Sequence, residues 1–322
     1  MTEKNDDEKK PISKEFLAED LKTGWDSSER LQERLKSYAI LKNRTKDFQN
    51  WANSGGADIR EKPQKKIFKA LDDCGQYLIF RNYQLSKKTR LIGACTCKQH
   101  LLCAFCASRR GVKHSMAYKE KFTELQNNAE QGSDLLFITF TVKNGENLHE
   151  RFTHLRSSMR SLLKKRSNQS LTHTKLKTEM FKLTSGVFSY EFKRGSGSGD
   201  WHPHIHMLAQ IPKISKIDIA QLKLEWLELT GDSSVINIKY ADDNAYLEVF
   251  AYALKFSEMS HSDRWFAFNE LKGERLISSF GEVRGVEITD SAEDSLIDSD
   301  EAFLDVLYKW QKERGYIHHK DL

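Results

Sequence analysis

Apolar and polar residues alternate along Trp201-His202-Pro203-His204-Ile205-His206-Met207-Leu208, and this period of two predicts a β-strand. Successive strand side chains point to opposite faces, so His202, His204 and His206 share one face while Ile205 and Met207 take the other. Gly186–Phe192 predicts a preceding strand, and the glycine- and serine-rich run Arg194–Asp200 predicts the hairpin loop that joins them. Antiparallel pairing across that loop would bring Glu191 beside the histidines. Further strands are predicted over Leu135–Val142 and Val235–Tyr240.

Other stretches carry helical spacing: Ser28–Ala39, Arg110–Asn127, a basic segment running through Arg166, and Ile217–Leu229. Near the end, Phe303, Val306, Leu307 and Trp310 recur as on a helix over Ala302–Arg314. The acidic start Asp242-Asp243-Asn244 caps a helix on which Glu248, Tyr252 and Lys255 form one stripe, opposite Leu247, Phe250, Ala251 and Leu254. That segregation would leave the Tyr252 hydroxyl free for chemistry. Strands interleaved with helices, and a hairpin among them, predict an α+β fold with a central antiparallel sheet flanked by helices and a small cysteine element. Four segments are expected: a charged, partly disordered or helical arm (1–65), the cysteine element and a helix (66–130), the main sheet domain (131–285), and an acidic linker with a C-terminal helix (286–322).

Composition changes this picture little. The chain has 322 residues, 39% of them hydrophobic, enough for about two domains and a substantial core. The apolar run Leu135–Ile138 is far short of the roughly 20 residues that span a bilayer, and the first residues are charged, so a cytoplasmic protein with no membrane partner is expected. With 51 Lys+Arg against 46 Asp+Glu, the net charge of +5 is a modest argument for nucleic acid. Distribution says more. Arg109, Arg110, Lys113, His114, Arg156, Arg160, Lys164, Lys165 and Arg166 would form a basic face that tracks phosphates, whereas acids gather at 290–294 and 298–301.

Two groups of residues have the make-up of metal sites. Two imidazoles and a carboxylate suit a divalent ion, with His204, His206 and Glu191 as ligands and His202, beside the ladder-breaking Pro203, supporting them from outside. Separately, four of the five cysteines fall between Cys95 and Cys106, and in a cytosolic-looking chain this clustering favours Zn²⁺ over disulfides. Cys97, Cys103 and Cys106 are the expected ligands, and the fourth stays open among Cys95, His100 and Cys74. Such an element would order the approach to Arg109 and Arg110.

Taken in order, Phe137-Ile138-Thr139-Phe140-Thr141, His204-Ile205-His206 and Glu248-x-x-x-Tyr252-x-x-Lys255 resemble the three motifs of the HUH endonucleases. Within that superfamily the chain is similar to plasmid rolling-circle replication initiators, and the likeness also takes in Leu71-x-x-Cys74-Gly75-x-x-Leu78 and Cys97 to Arg110, covering about residues 70–285. The resemblance implies an HUH-type nuclease fold and metal-dependent nicking of single-stranded or hairpin origin DNA by Tyr252, leaving a 5′-phosphotyrosine and a 3′-OH primer. Mn²⁺ or Mg²⁺ would be the catalytic ion. Glu248 would activate water to end the cycle, Lys255 would neutralise the phosphate or orient the tyrosine, and a bacterial host helicase and DNA polymerase would be partners. A relaxase or tyrosine transposase would share this chemistry. A non-enzymatic zinc-containing nucleic-acid-binding protein would not need His204, His206 and Tyr252 together, and a zinc hydrolase would use water in place of the tyrosine.

Overall fold

The computed structural model describes residues 28–171, 178–195, 197–242, 244–288, 293–295 and 300–322. The arm before Ser28, expected to be partly disordered, and the acids at 290 and 298 lie outside them. In chain order the strands are β1 (Tyr77–Tyr83), β2 (Thr89–Ala94), β3 (Ser133–Thr141), β4 (Ser185–Arg194), β5 (Trp201–Pro212), β6 (Ile236–Tyr240), β7 (Ile277–Phe280), β8 (Phe303–Gln311) and β9 (Gly315–Asp321). They form two antiparallel sheets, one ordered β2-β1-β8-β9 and one ordered β6-β3-β5-β4-β7. The fold is mixed α+β, with helices packed on antiparallel sheets, as expected from the sequence.

Register in the five-stranded sheet decides where chemistry can sit. Val187 opposes Leu208, Ser189 opposes His206, and Glu191 opposes His204, while on the other side of β5 Phe137, Thr139 and Thr141 oppose the same three residues. One sheet face therefore runs from an apolar end to a polar end. At the apolar end Val187, Leu208 and Phe137 pack with Tyr246, Val249 and Phe250 of helix α6 (Ala245–Phe250) and with Tyr118 and Phe122 of helix α3 (Ala104–Asn127). Those two helices meet at Gly111, where an added Cβ would lie 3.0 Å from the Phe250 carbonyl oxygen. The other sheet face, with Ile205, Met207, Tyr190 and Phe192, belongs to the larger core, in which Phe152 of helix α4 (Leu148–Leu171) meets Tyr190 and Phe192 edge-on.

Three expectations need correction. The expected C-terminal helix over Ala302–Arg314 is a hairpin of β8 and β9, turning with Glu313 and Gly315 at positive φ. Val306, Tyr308 and Trp310 satisfy a period of two as well as the wider set satisfies 3.6, and open ladder positions on β1 decide for the strand. The four-stranded sheet thus joins the segment around residues 77–94 to the end of the chain. The expected single tyrosine helix is broken at Ala251 into α6 and α7 (Tyr252–Phe256). Arg109, expected on a phosphate-tracking face, is buried instead.

Arg109 and Arg34, the latter on helix α1 (Ser28–Trp51), both hold Asp294, with Arg34 Nη2 donating over 2.5 Å and Arg109 closing the other oxygen. Leu91 N also donates to this carboxylate, at 3.0 Å. Burial raises the Asp294 pKa, yet Arg109, Arg34 and the backbone donor outweigh it and hold it down to about 2. A folded-state pKa below the unfolded one gives stability that is full above the unfolded value and is lost as pH falls through the folded value, here about 2 kcal/mol. Asp294→Asn is accordingly expected to cost about 3 kcal/mol at neutral pH, with the gap to wild type narrowing between about pH 5 and pH 2 in urea melts. A gap constant with pH would remove Asp294 as the cause.

Candidate active site

Glu191, His204 and His206 place their ligand atoms within 4.8 Å of one another. His204 Nε2 lies 3.1 Å from Glu191 Oε1, and His206 Nε2 lies 3.4 Å from Glu191 Oε2. Each imidazole is fixed from behind: His204 Nδ1 meets the His202 carbonyl at 3.3 Å, and His206 Nδ1 meets Thr139 Oγ1 at 3.2 Å. Both Nε2 atoms are thereby aimed at one point, the arrangement that outer partners give metal-binding histidines. His202 stands outside the donor group, as expected, with its ring on Asn144 Oδ1 at 2.6 Å. Thr139 was not singled out as a support, although it sits at the His206 register position on the neighbouring strand.

Electrostatics favour an ion here. Burial would raise the pKa of Glu191, but the hydrogen bond to His204 and the Lys255 ammonium outweigh it and hold it down to about 2, so it is a carboxylate. Burial lowers His206 to about 4, leaving a neutral ring with a lone pair at neutral pH. Ser189, on the same face opposite His206, has a buried hydroxyl with no hydrogen-bond partner among the described residues. Two nitrogens, one carboxylate oxygen and an unmet polar group fit a divalent cation that accepts mixed ligands.

Lys255 connects this group to the tyrosine segment. Its ammonium pairs with Glu191 and, at 3.2 Å, with Glu248 Oε2. Burial lowers its pKa, but the two carboxylates outweigh that and raise it, so Lys255 is a fixed cation between them. Tyr252, three residues earlier, departs from the sequence expectation. It is only 3% exposed and belongs to the core, and it opens α7 just after the break at Ala251. Its ring meets His100 edge-on at 6.4 Å and lines a cavity of about 490 Å³.

Cys74, Cys97, Cys103 and Cys106 form the second cluster, all buried, with sulfur separations of 3.5 Å (74 to 103), 3.5 Å (74 to 106) and 3.7 Å (97 to 106). A regular tetrahedron of thiolates about 2.3 Å from zinc has edges of about 3.8 Å, so these residues fit that ion. Of the three candidates the sequence leaves open for the fourth position, Cys74 is the one that lies in this group. Cys95 and His100 stand outside the group. Two cations, each 1% exposed, flank it: Lys42 donates to the Asp72 carbonyl at 2.8 Å and to the Cys74 carbonyl, and Arg264 donates to the Leu102 carbonyl. Neither cation was legible in the sequence, since Lys42 lies amid the charges of α1 and Arg264 in the short helix α8 (His261–Glu270).

Among the described residues no helix is long and apolar enough to cross a membrane. Comparison with curated proteins and with solved structures gave no match. The family model Rep_1, described as replication protein, matches residues 88–317, a span that takes in Cys97–Cys106, the Glu191–His204–His206 group and Tyr252, and the chain therefore belongs to the replication protein family.

Proposed function

We propose that this chain is a plasmid rolling-circle replication initiator of the HUH type, which nicks one strand of origin DNA through Tyr252. The observation that carries the reading is the convergence of Glu191, His204 and His206, tied through Lys255 to the segment that bears Glu248 and Tyr252. A bound Mn²⁺ or Mg²⁺ would supply Lewis-acid polarisation of the scissile phosphate. The chain's own groups do the rest. Tyr252 Oη attacks phosphorus, the bond from phosphorus to O3′ breaks, and the tyrosine carries the 5′ phosphate. The phenol proton passes to a neighbouring base, and the departing O3′ takes up a proton to become the primer hydroxyl. Lys255 offsets the charge gathered by Glu191, Glu248 and phosphate. Glu248 would take a proton from water when the adduct is released. The nuclease unit would be residues 131–285, with origin DNA and the host helicase and polymerase as partners.

Product ends test this reading. End-labelled single-stranded origin DNA should yield one fragment whose 3′-OH a polymerase extends and one whose 5′ end is blocked by protein, with Glu248→Ala slowing only release of the block. Free 5′-phosphate ends formed from the outset would instead mean a hydrolase with water as nucleophile, and intact DNA would mean a binding protein.

For the cysteine cluster we propose structural Zn²⁺ held by four thiolates. The buried Lys42 and Arg264 support it, because four thiolates around Zn²⁺ leave a dianion, whereas four neutral thiols would leave two buried cations facing a cost of several kcal/mol each. Purified protein should retain about one zinc after exhaustive dialysis, and Cys103→Ser should lose it together with several kcal/mol of stability. Full stability in zinc-free protein would reduce these thiols to core residues.

A further inference from the structure

We infer that the cavity lined by Tyr252 seats a deoxynucleotide of single-stranded DNA, the one whose 5′ phosphate the tyrosine would retain; this rests on the nicking reading above. At about 490 Å³ the cavity is within the roughly 300–1,000 Å³ of ordinary ligand sites. Its lining carries Lys98, Arg110, Lys272 and Arg275 against one acid, Glu274, which Arg156 already pairs. Deeper in, Phe268 and Leu271 are buried and apolar, beside the edge-on His100 and Tyr252 rings. Cations at the mouth and flat apolar groups below match the two parts of a nucleotide, a charged phosphate and a base that stacks.

The walls explain why these groups face one another. One wall is the turn between two cysteine ligands, in which Lys98 adopts φ 57° and Gln99 O accepts from Leu102 N at 2.9 Å and Cys103 N at 2.7 Å. Lys98, Gln99, His100 and Leu101 are thus held by the cluster and presented to the cavity. The opposite wall, from Leu271 to Ile277, is pinned to β4 where Tyr190 N donates to Leu276 O at 2.9 Å, one residue before Glu191. The cysteine cluster would therefore shape the DNA seat directly, a role beyond stabilising the fold.

Lys98 and Arg275 are exposed, so Lys98→Glu with Arg275→Glu can be read without disturbing the core. The double variant is made in full-length Tyr252→Phe protein, so that binding is measured without cleavage, using anisotropy of a fluorescein-labelled oligothymidylate over a salt series. Affinity should fall about tenfold or more, and the plot of log affinity against log salt should flatten by one to two in slope, about one per lost phosphate contact. The same charge change at Lys309 and Lys312, exposed on the β8–β9 hairpin and outside both the cavity and the basic face, should alter neither as much. Should the reversal fail to fold, Lys98→Gln with Arg275→Gln carries the test with a smaller loss. Unchanged affinity and slope, or an equal loss in the Lys309/Lys312 control, would overturn the cavity assignment. A cavity-dependent slope in a chain whose wild type forms no adduct would overturn the nicking reading and leave the seat standing.

Discussion

Tyr252→Phe is expected to abolish nicking and the covalent protein–DNA adduct, with a loss on the order of 10⁴-fold or more, while binding of single-stranded DNA stays close to wild type. The substitution removes one oxygen and keeps the ring, so the core contacts of a residue that is 3% exposed survive, and so does the edge-on contact with His100. A melting curve close to wild type would confirm that the change is chemical. Residual adduct in this variant would move the nucleophile elsewhere, with Tyr246 the nearest tyrosine in the chain. Tyr246 packs in the apolar cluster against Phe122.

His204→Ala and His206→Ala form the second large expectation. Each removes one of two nitrogens aimed at a single point, so cleavage should fall by at least about 100-fold, more than the loss from touching an outer partner. Thr139→Val, which takes away only the hydroxyl behind His206, should cost about tenfold. Chelator should reproduce the histidine variants in wild type, and added Mn²⁺ should restore activity there but not in them. Full cleavage in chelator would contradict the metal reading.

The site was legible in the sequence where local geometry is strict. Strand periodicity leaves no freedom about which side of β5 carries His204 and His206, and a short hairpin leaves little about which residue of β4 faces them, so Glu191 could be placed by register alone. The cysteine spacing was equally direct, except that Cys74 comes from 23 residues before Cys97, where sequence distance carries no geometry. Long-range pairing accounts for what was missed. Asp294 reaches Arg34 across 260 positions, and no local pattern marks either residue as a partner of the other. Arg109 looked like a phosphate contact for the same reason: a charge in a helix reads as solvated until its counter-charge is known. The C-terminal residues supported two periods at once, and only the unpaired edge of β1 chose between them. One continuous helix would set Tyr252 on the polar stripe, whereas the helix breaks at Ala251 and Tyr252 is buried beside His100 of the cysteine turn.

In the proposed reaction one tyrosine takes the DNA phosphate beside a metal held by Glu191, His204 and His206. Its most direct measurement is peptide mapping by mass spectrometry of the adduct formed on labelled single-stranded origin DNA with Mn²⁺ present. The expected product is a nucleotide joined through its 5′ phosphate to Tyr252, in an adduct that does not form in chelator. A phosphate on any other residue, or an adduct indifferent to chelator, would contradict it.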